Sequence, residues 1–464
     1  MRNKLGFAKC STILLSMCLI FLGTETATKV YGQVARGVPA FNGKNSEILR
    51  YAPTPPPQIQ MFHLPSDVPK DVNSHQTISI QEICDLALSR HPAIVQASRQ
   101  MEAYRGSWVQ AGLKENPTIG YSAEEVGGQN HAGRQGIAFS YEHISKQKLT
   151  ARQNAANAEY LAAREQLQLQ RQKVMNDATL AGYRLLIASQ KERLTGELLK
   201  IAEMTASSAE SLSKAQETQK TDFLQARVEK NRVRIALNDA TIERDAASKN
   251  LAVLIGFPTD ASLEITDSLD VLPVEINEEE IYRQIMTDSP LLKRAYAEYE
   301  AAKAKLLKER NEAGINVSTT GSVLFNTSEN QTEASLGISI PLRINNKNQG
   351  NIMQANSEVL ASTASIERIK NSLTSEFQNQ FAQYKTARQR VLLYQKEVIK
   401  ESEESLNITK LAYEHGECGY IELLNAQRTM FAVQIECLDN IGLLFDQSVK
   451  LNGFLLQNAY SPTE

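Results

Sequence analysis

Proline is missing from two long stretches of this 464-residue chain, between Pro117 and Pro258 and between Pro341 and Pro462. A proline-free run of this length permits helices far longer than the roughly 12 residues usual in globular proteins. The side chains fit such helices. Ile366, Ile369, Leu373, Phe377, Phe381, Tyr384 and Val391 recur at steps of three, four or seven, a one-sided apolar stripe. Ala, Gln, Glu, Lys, Leu and Arg dominate these regions, and aromatic residues make up only 6% of the chain. That is the composition of coiled coils. Helices of this length need lateral partners along their whole course.

The two stretches are copies of one unit. Glu82-Ile83, His91-Pro92, Ala97 and Glu102-Ala103 match Glu280-Ile281, Ser289-Pro290, Ala295 and Glu300-Ala301, at a constant spacing of about 200 residues, which is a domain-sized duplication and not a solenoid repeat. The first unit spans 77–257 and the second 276–460, with a linker at 258–275. In each, a short helix begins near Ser79 or Glu278. A second helix restarts at His91-Pro92 or Ser289-Pro290, with proline where a helix tolerates it, and ends near Glu115 or Glu312. Two strands follow, at about 118–126 and 135–142 in the first unit and about 315–325 and 333–342 in the second. Residues alternate apolar and polar along Gly136–Tyr141 and Leu336–Ile340. Strands of about ten residues suit a tilted barrel hairpin or a soluble hairpin on a helical core, and the strands alone leave both open. Long helical hairpins close each unit, at about 147–256 and 349–457. His415-Gly416-Glu417-Cys418-Gly419 marks the second turn. The first falls at Ala215 to Lys220, with Thr221-Asp222 as its expected N-cap.

The N-terminus carries a secretory signal over residues 1–32. Arg2, Lys4 and Lys9 precede an apolar run from Thr12 to Leu22, and cleavage after Ala27 or Gly32 suits the small residues there. The run is short for an uncleaved anchor, and Cys18 lies inside it as an ordinary residue. A Pro-rich arm with Pro53 and Pro55 to Pro57 occupies 33–76. Net charge is −3 and becomes more negative once the leader is lost, which excludes a basic nucleic-acid face. Cys84, Cys418 and Cys437 form no disulfide framework or zinc pattern. No GxSxG, HExxH, P-loop or Rossmann glycine pattern occurs, so no enzyme and no cofactor is expected. His131 with Glu124 and Glu125 reads as a polar loop, not a metal site.

The order of parts, GISIPLRINNKNQGNIMQAN at Gly337 to Asn356, and the tip sequences TDFLQAR and LAYEHGECGYIELLNAQ resemble the TolC-like outer-membrane efflux channels. The first stretch is similar to the branch paired with heavy-metal resistance-nodulation-division pumps. The resemblance implies a mainly α fold with a small β part: a homotrimer closing a twelve-stranded barrel in outer-membrane lipid, continued by an α-helical tunnel into the periplasm. It implies an adaptor at the hairpin tips, an inner-membrane pump supplying the energy, and a substrate set by that pump, metal cations or other small solutes. It places a pore constriction at Glu422 and Asn425, where an acidic ring would favour cations. It places gate ties between the tips from Asp222 to Tyr413 and from Thr221 to Cys418, where Cys418 stands in place of a basic residue. Two other readings of an exported helical chain stand beside it. One is a periplasmic adaptor, which needs no duplication. The other is a coiled-coil structural protein, which needs no strands.

Overall fold

The structure is a computed structural model and describes residues 75–127, 132–214, 220–258, 262–269, 271–415 and 417–460. The signal peptide, the Pro-rich arm up to residue 74, His131, the first tip turn at 215–219 and Gly416 lie outside the described residues.

Each unit opens with an 11-residue helix, α1 (Ile80–Arg90) in the first and α5 (Glu278–Asp288) in the second. Ser79 caps α1 through a capping box with Glu82, and Asn277 caps α5 by accepting from the N–H groups of Glu279 and Glu280. Such caps satisfy helix N–H groups that have no intrahelical partner. The next helices, α2 (Pro92–Ala111) and α6 (Pro290–Glu312), each begin with proline at the first position. α2 ends four residues before the expected Glu115, at Gly112, whose N–H closes the last turn on Val109 O at 3.1 Å and which lies against α3 (Lys146–Lys214). A Cβ there would stand 2.7 Å from Gln153 Nε2.

The long hairpins follow. In the first unit they are α3, of 69 residues, and α4 (Lys220–Leu254). At 1.5 Å per residue α3 is roughly 100 Å long. In the second they are α7 (Gln349–Leu393), α8 (Ile399–Glu414) and α9 (Tyr420–Asn452). A π-helical turn, Tyr394–Val398, joins α7 to α8. Each unit has its own apolar core where its short helix meets the hairpin. In the first, Ile83 and Ala87 pack with Val174, Leu185, Leu251 and Ile255. In the second, Ile281 and Ile285 pack with Phe377, Val391, Leu444 and Leu451.

Two departures from the sequence reading lie around these cores. The expected linker contains a strand, β4 (Ser262–Ile265), which pairs in parallel with β1 (His75–Ile78). The segment is therefore part of the first core, where Ile78 and Leu263 are buried. Thr221 and Asp222 are not the N-cap of α4. The helix already includes Lys220, so both stand in its first turn, where a carboxylate favours the helix dipole.

His91 is the most buried titratable group at these junctions. It is 1% exposed, and its Nδ1 accepts the N–H of Ala93 as the cap of α2. Burial lowers its pKa, opposed in part by Asp177. A depressed histidine leaves the unfolded chain holding more protons across the window from the ordinary value of 6.5 downward, so stability falls as pH drops through that window. Protection of the amides at the start of α2 against hydrogen exchange, taken relative to their intrinsic rates, is expected to drop several-fold from pH 7 to pH 5. His91→Asn, which keeps an acceptor for the cap, is expected to remove that dependence.

Four strands form one antiparallel sheet in the order β2 (Thr118–Glu124), β3 (Arg134–His143), β5 (Val317–Asn326), β6 (Gln331–Ser339). The two hairpins of the two units thus meet along β3 and β5, with Ile137 opposite Val323. Gly321 makes room for the Phe139 ring, which a Cβ would meet at 2.3 Å. The sheet is fastened to the helices by a polar junction. Buried Lys148 donates to Asn316 Oδ1 at 2.7 Å and pairs with Glu312 at 3.7 Å. Arg152 pairs with the same carboxylate, holding it below the usual carboxylate range. Asn316 in turn donates to Glu142 Oε1 at 2.6 Å.

Candidate functional site

The sheet has two unlike faces. Residues opposite each other across a ladder share a face. Ile119 and Tyr121 therefore lie with Phe139 and Ile137, then Val323, then Leu336 and Ile338. This face is apolar and open: Ile119 is 78% exposed and Leu336 73%. The other face carries Ser122, Ser140, Thr320, Ser322 and Ser335, with Leu324 its one large apolar side chain. Ser322 Oγ lies 2.7 Å from Ser335 Oγ. Among the described residues no helix covers the apolar face, and no helix is long and apolar enough to cross a membrane. Alternation of this kind, apolar on one side and small and polar on the other, is the pattern of a lipid-facing barrel wall. The reading as a soluble hairpin on a helical core is thereby removed.

The helical tips form the second feature. Ala206, Ala209 and Ala226 of the first hairpin pack against Tyr413, Tyr420 and Leu424 of the second. Alanines let the helices approach closely enough for the tyrosines to fill the space between them. Tyr413 and Tyr420 meet edge to face, 6.2 Å between centroids. Burial pushes the Tyr420 phenol up to about 12. Tyr413 is raised too, by burial first and then by the Asp222 carboxylate and Cys418. The structure thus brings Asp222 close to Tyr413. Among the described residues no hydrogen bond joins them, and Asp222 instead accepts from Thr221 Oγ1 at 3.5 Å. Cys418 donates back along its own hairpin to Thr409 O at 3.5 Å.

One contact at the tips was not read from the sequence. Arg428 Nε donates to Glu229 Oε2 at 2.9 Å, tying α9 to α4. The Glu229 side chain is only 12% exposed, and Arg232 adds a longer contact to it at 3.6 Å. The sequence signal was present but faint: Glu229 stands one heptad beyond Asp222, and Arg428 six residues beyond Glu422.

Glu422 and Asn425 are exposed in the first turns of α9. The Glu422 carboxylate folds back over the helix start, where a Cβ on Gly419 would meet it at 2.8 Å. Both belong to a stripe of exposed residues that continues through Thr429, Ala432, Glu436 and Asp439. Glu436 accepts from Tyr394 Oη in the π turn at 2.6 Å. The stripe carries three carboxylates, of which Asp439 pairs with Lys191 of α3 at 3.6 Å. Among the described residues no cluster of three or more His, Cys, Asp or Glu could hold a metal ion.

The sequence model of the family described as outer membrane efflux protein matches residues 83–257 and 282–455, both units of the duplication. The chain belongs to that family. It is 24% identical over 380 residues to the cobalt-zinc-cadmium resistance protein CzcC of Cupriavidus metallidurans, covering 82% of this chain and 90% of that protein. Among solved structures, a membrane protein from Pseudomonas aeruginosa superposes with a TM-score of 0.69 at 18% identity, covering 81% of this chain and 92% of that one. CusC superposes with a TM-score of 0.65 at 17% identity, covering 82% and 92%. The open state of the Neisseria gonorrhoeae MtrE outer membrane channel does so at 0.65 and 19%, covering 81% and 88%. As an efflux protein of the outer membrane the chain has a place for both features: a sheet for lipid and hairpins for the periplasm. The family assignment and the paired strands leave no support for the periplasmic-adaptor and structural coiled-coil readings.

Proposed function

We propose that three copies of this chain form the outer-membrane conduit of a tripartite pump that exports divalent metal cations. The observation that carries the proposal is the amphipathic sheet with two open edges. Four strands cannot close a barrel, and unpaired edges are not tolerated in lipid. Three copies supply twelve strands and remove every edge. The hairpins then continue the barrel as a tunnel, with their tips toward a periplasmic adaptor and a resistance-nodulation-division pump of the inner membrane. The chain carries no motif for ATP or proton chemistry, so its role in this reading is passive and non-enzymatic.

Metal cations are favoured by two things. CzcC is named for cobalt, zinc and cadmium resistance, and the exposed stripe from Glu422 to Asp439 is acidic. Around a threefold axis Glu422 would form a ring of three carboxylates, with Asn425 a neutral rung one turn further in. Asp222, Thr221, Tyr413 and Cys418 lie at the junction that must loosen for the tips to part.

Loss of the gene tests the reading. Tolerance to cobalt, zinc and cadmium is expected to fall several-fold while tolerance to organic drugs is unchanged. The intact gene should restore it in full and Glu422→Gln only in part. Loss of drug tolerance with metal tolerance intact would overturn the substrate assignment.

A further inference from the structure

The sheet and the helices meet beside a cavity to which the conduit reading gives no role. Its volume is about 670 Å³, inside the range of about 300–1,000 Å³ usual for small-molecule sites. Its walls come from the end of α6, from residues 341–348 that follow β6, and from the first turn of α7. The charges within it are unequally matched. Glu312 is held by Lys148 and Arg152. Glu309 pairs with Lys308 at 3.3 Å and accepts from Asn348 Nδ2 at 2.9 Å. Arg343 and Lys347 line the same cavity, yet among the described residues neither side chain has an ion pair or a hydrogen bond. The Arg343 Nε is shut away from solvent with no acceptor in reach. A buried N–H of this kind is costly unless something else supplies the acceptor.

The cavity lies at the rim of the lipid-facing surface. β6 leaves its ladder at Ser339, and beyond it Leu342 and Ile344 are 82% and 74% exposed. Both line the cavity together with Arg343. On the helix side stands Glu312, part of the polar junction with Lys148, Arg152 and Asn316, where the apolar wall has given way to charge. Exposed apolar side chains beside unmatched cations are complementary to one class of molecule, an amphiphile with an anionic head. From this we infer that the cavity binds the phosphate headgroup of an anionic phospholipid in the periplasm-facing leaflet. Arg343 and Lys347 hold the phosphate, and Leu342 and Ile344 lie against the start of the acyl chains. The assignment rests on the placement of the sheet in lipid that the conduit reading makes, and adds to it a lipid-specific site.

The chemistry of the donors selects this ligand. A guanidinium presents its N–H groups as a planar fork that matches phosphate oxygens in pairs, and an ammonium adds a compact charge beside it. Both carboxylates of the cavity already have cations of their own, so the charge of Arg343 and Lys347 is left for a ligand. A headgroup of net negative charge is therefore favoured over a zwitterionic one, whose amine would meet the same cations. A free phosphate satisfies Arg343 and Lys347 equally well but leaves Leu342 and Ile344 in water. A lipid covers them, and the burial of that apolar surface adds to its affinity.

The test uses the full-length protein, delipidated and reconstituted in phosphatidylcholine to which phosphatidylglycerol is added. Native mass spectrometry reads the lipid kept by each assembly. The parent is expected to keep one phosphatidylglycerol per chain in preference to phosphatidylcholine. Arg343→Gln with Lys347→Gln is expected to weaken that retention by about tenfold or more, and Arg343→Lys, which keeps the charge but loses the fork, by about threefold. Lys400→Gln with Lys410→Gln removes the same charge from α8, far from the sheet, and is expected to change it by less than about twofold. Millimolar inorganic phosphate should leave the lipid in place. Equal retention by the parent and by Arg343→Gln with Lys347→Gln overturns the site. Displacement of the lipid by inorganic phosphate overturns the lipid as its ligand. Loss of heat-modifiable trimer from Arg343→Gln with Lys347→Gln in phosphatidylcholine alone assigns the two cations to contacts between copies and overturns the site as well. Parent trimers that keep no phosphatidylglycerol overturn this inference and leave the conduit standing, whereas a parent that forms no trimer in any lipid overturns both.

Discussion

Ile137→Arg is expected to abolish assembly in the outer membrane, while Ser322→Arg, close by in the same sheet, is expected to leave it largely intact. Ile137 lies between Tyr121 and Val323 on the apolar face and is 62% exposed. An arginine at the bilayer midplane of a barrel costs about 2–4 kcal/mol. A trimer meets that cost three times, so the penalty approaches the whole stability of an ordinary fold, about 5–15 kcal/mol. Ser322 pairs with Ala138 and Ser335 on the other face, where a cation would enter the lumen. The measurement is the amount of heat-modifiable trimer in outer-membrane fractions. Ile137→Arg should reduce it at least tenfold and Ser322→Arg by less than twofold. Equal loss from both would mean that the face assigned to lipid is not in lipid.

That contrast was half legible before the fold was known. Alternation along Gly136 to Tyr141 and Leu336 to Ile340 located β3 and β6, because a pleated strand sends successive side chains to opposite faces. It could not show which strands are neighbours. The junction of β3 with β5 joins residues from different units, and no local pattern records it. The long helices were legible for the opposite reason: their signal is repeated over dozens of residues, and proline is absent throughout. Short elements were lost. β1 and β4 have four residues each, too few for a period, and Ser262 to Ile265 passed for linker. The π turn at Tyr394 to Val398 adds one residue to a helical turn without changing composition. At the first tip no glycine marks the turn, so Thr221-Asp222 offered a false cap.

The tips show the same limit, and there the missed contact carries the larger consequence. Glu229 and Arg428 are distant in sequence, so nothing local predicts their pairing. Together they span from α4 to α9, directly beside the packed tyrosines. Removing one partner of a fully buried pair costs about 3–5 kcal/mol, chiefly from the charge left behind. The Arg428 side chain is 40% exposed, and Arg232 remains near the carboxylate at 3.6 Å. Solvent and that second cation reduce the figure to about 2 kcal/mol, or roughly thirtyfold in a closed-to-open ratio. Arg428→Ala is therefore expected to raise the passive conductance of the reconstituted channel by at least tenfold at fixed salt. Exchanging the pair, Glu229→Arg with Arg428→Glu, should return most of the closed state, because the attraction is kept while both identities change. Asp222→Ala with Tyr413→Phe breaks no hydrogen bond between the two tips among the described residues, only the one within the first tip from Thr221. It should raise conductance only about threefold, as expected for a loss under about 1 kcal/mol. High salt should narrow the gap between Arg428→Ala and the parent, since a partly exposed pair is screened. An Arg428→Ala channel as closed as the parent would show that the tips are held by apolar packing of Tyr413, Tyr420 and Leu424 alone.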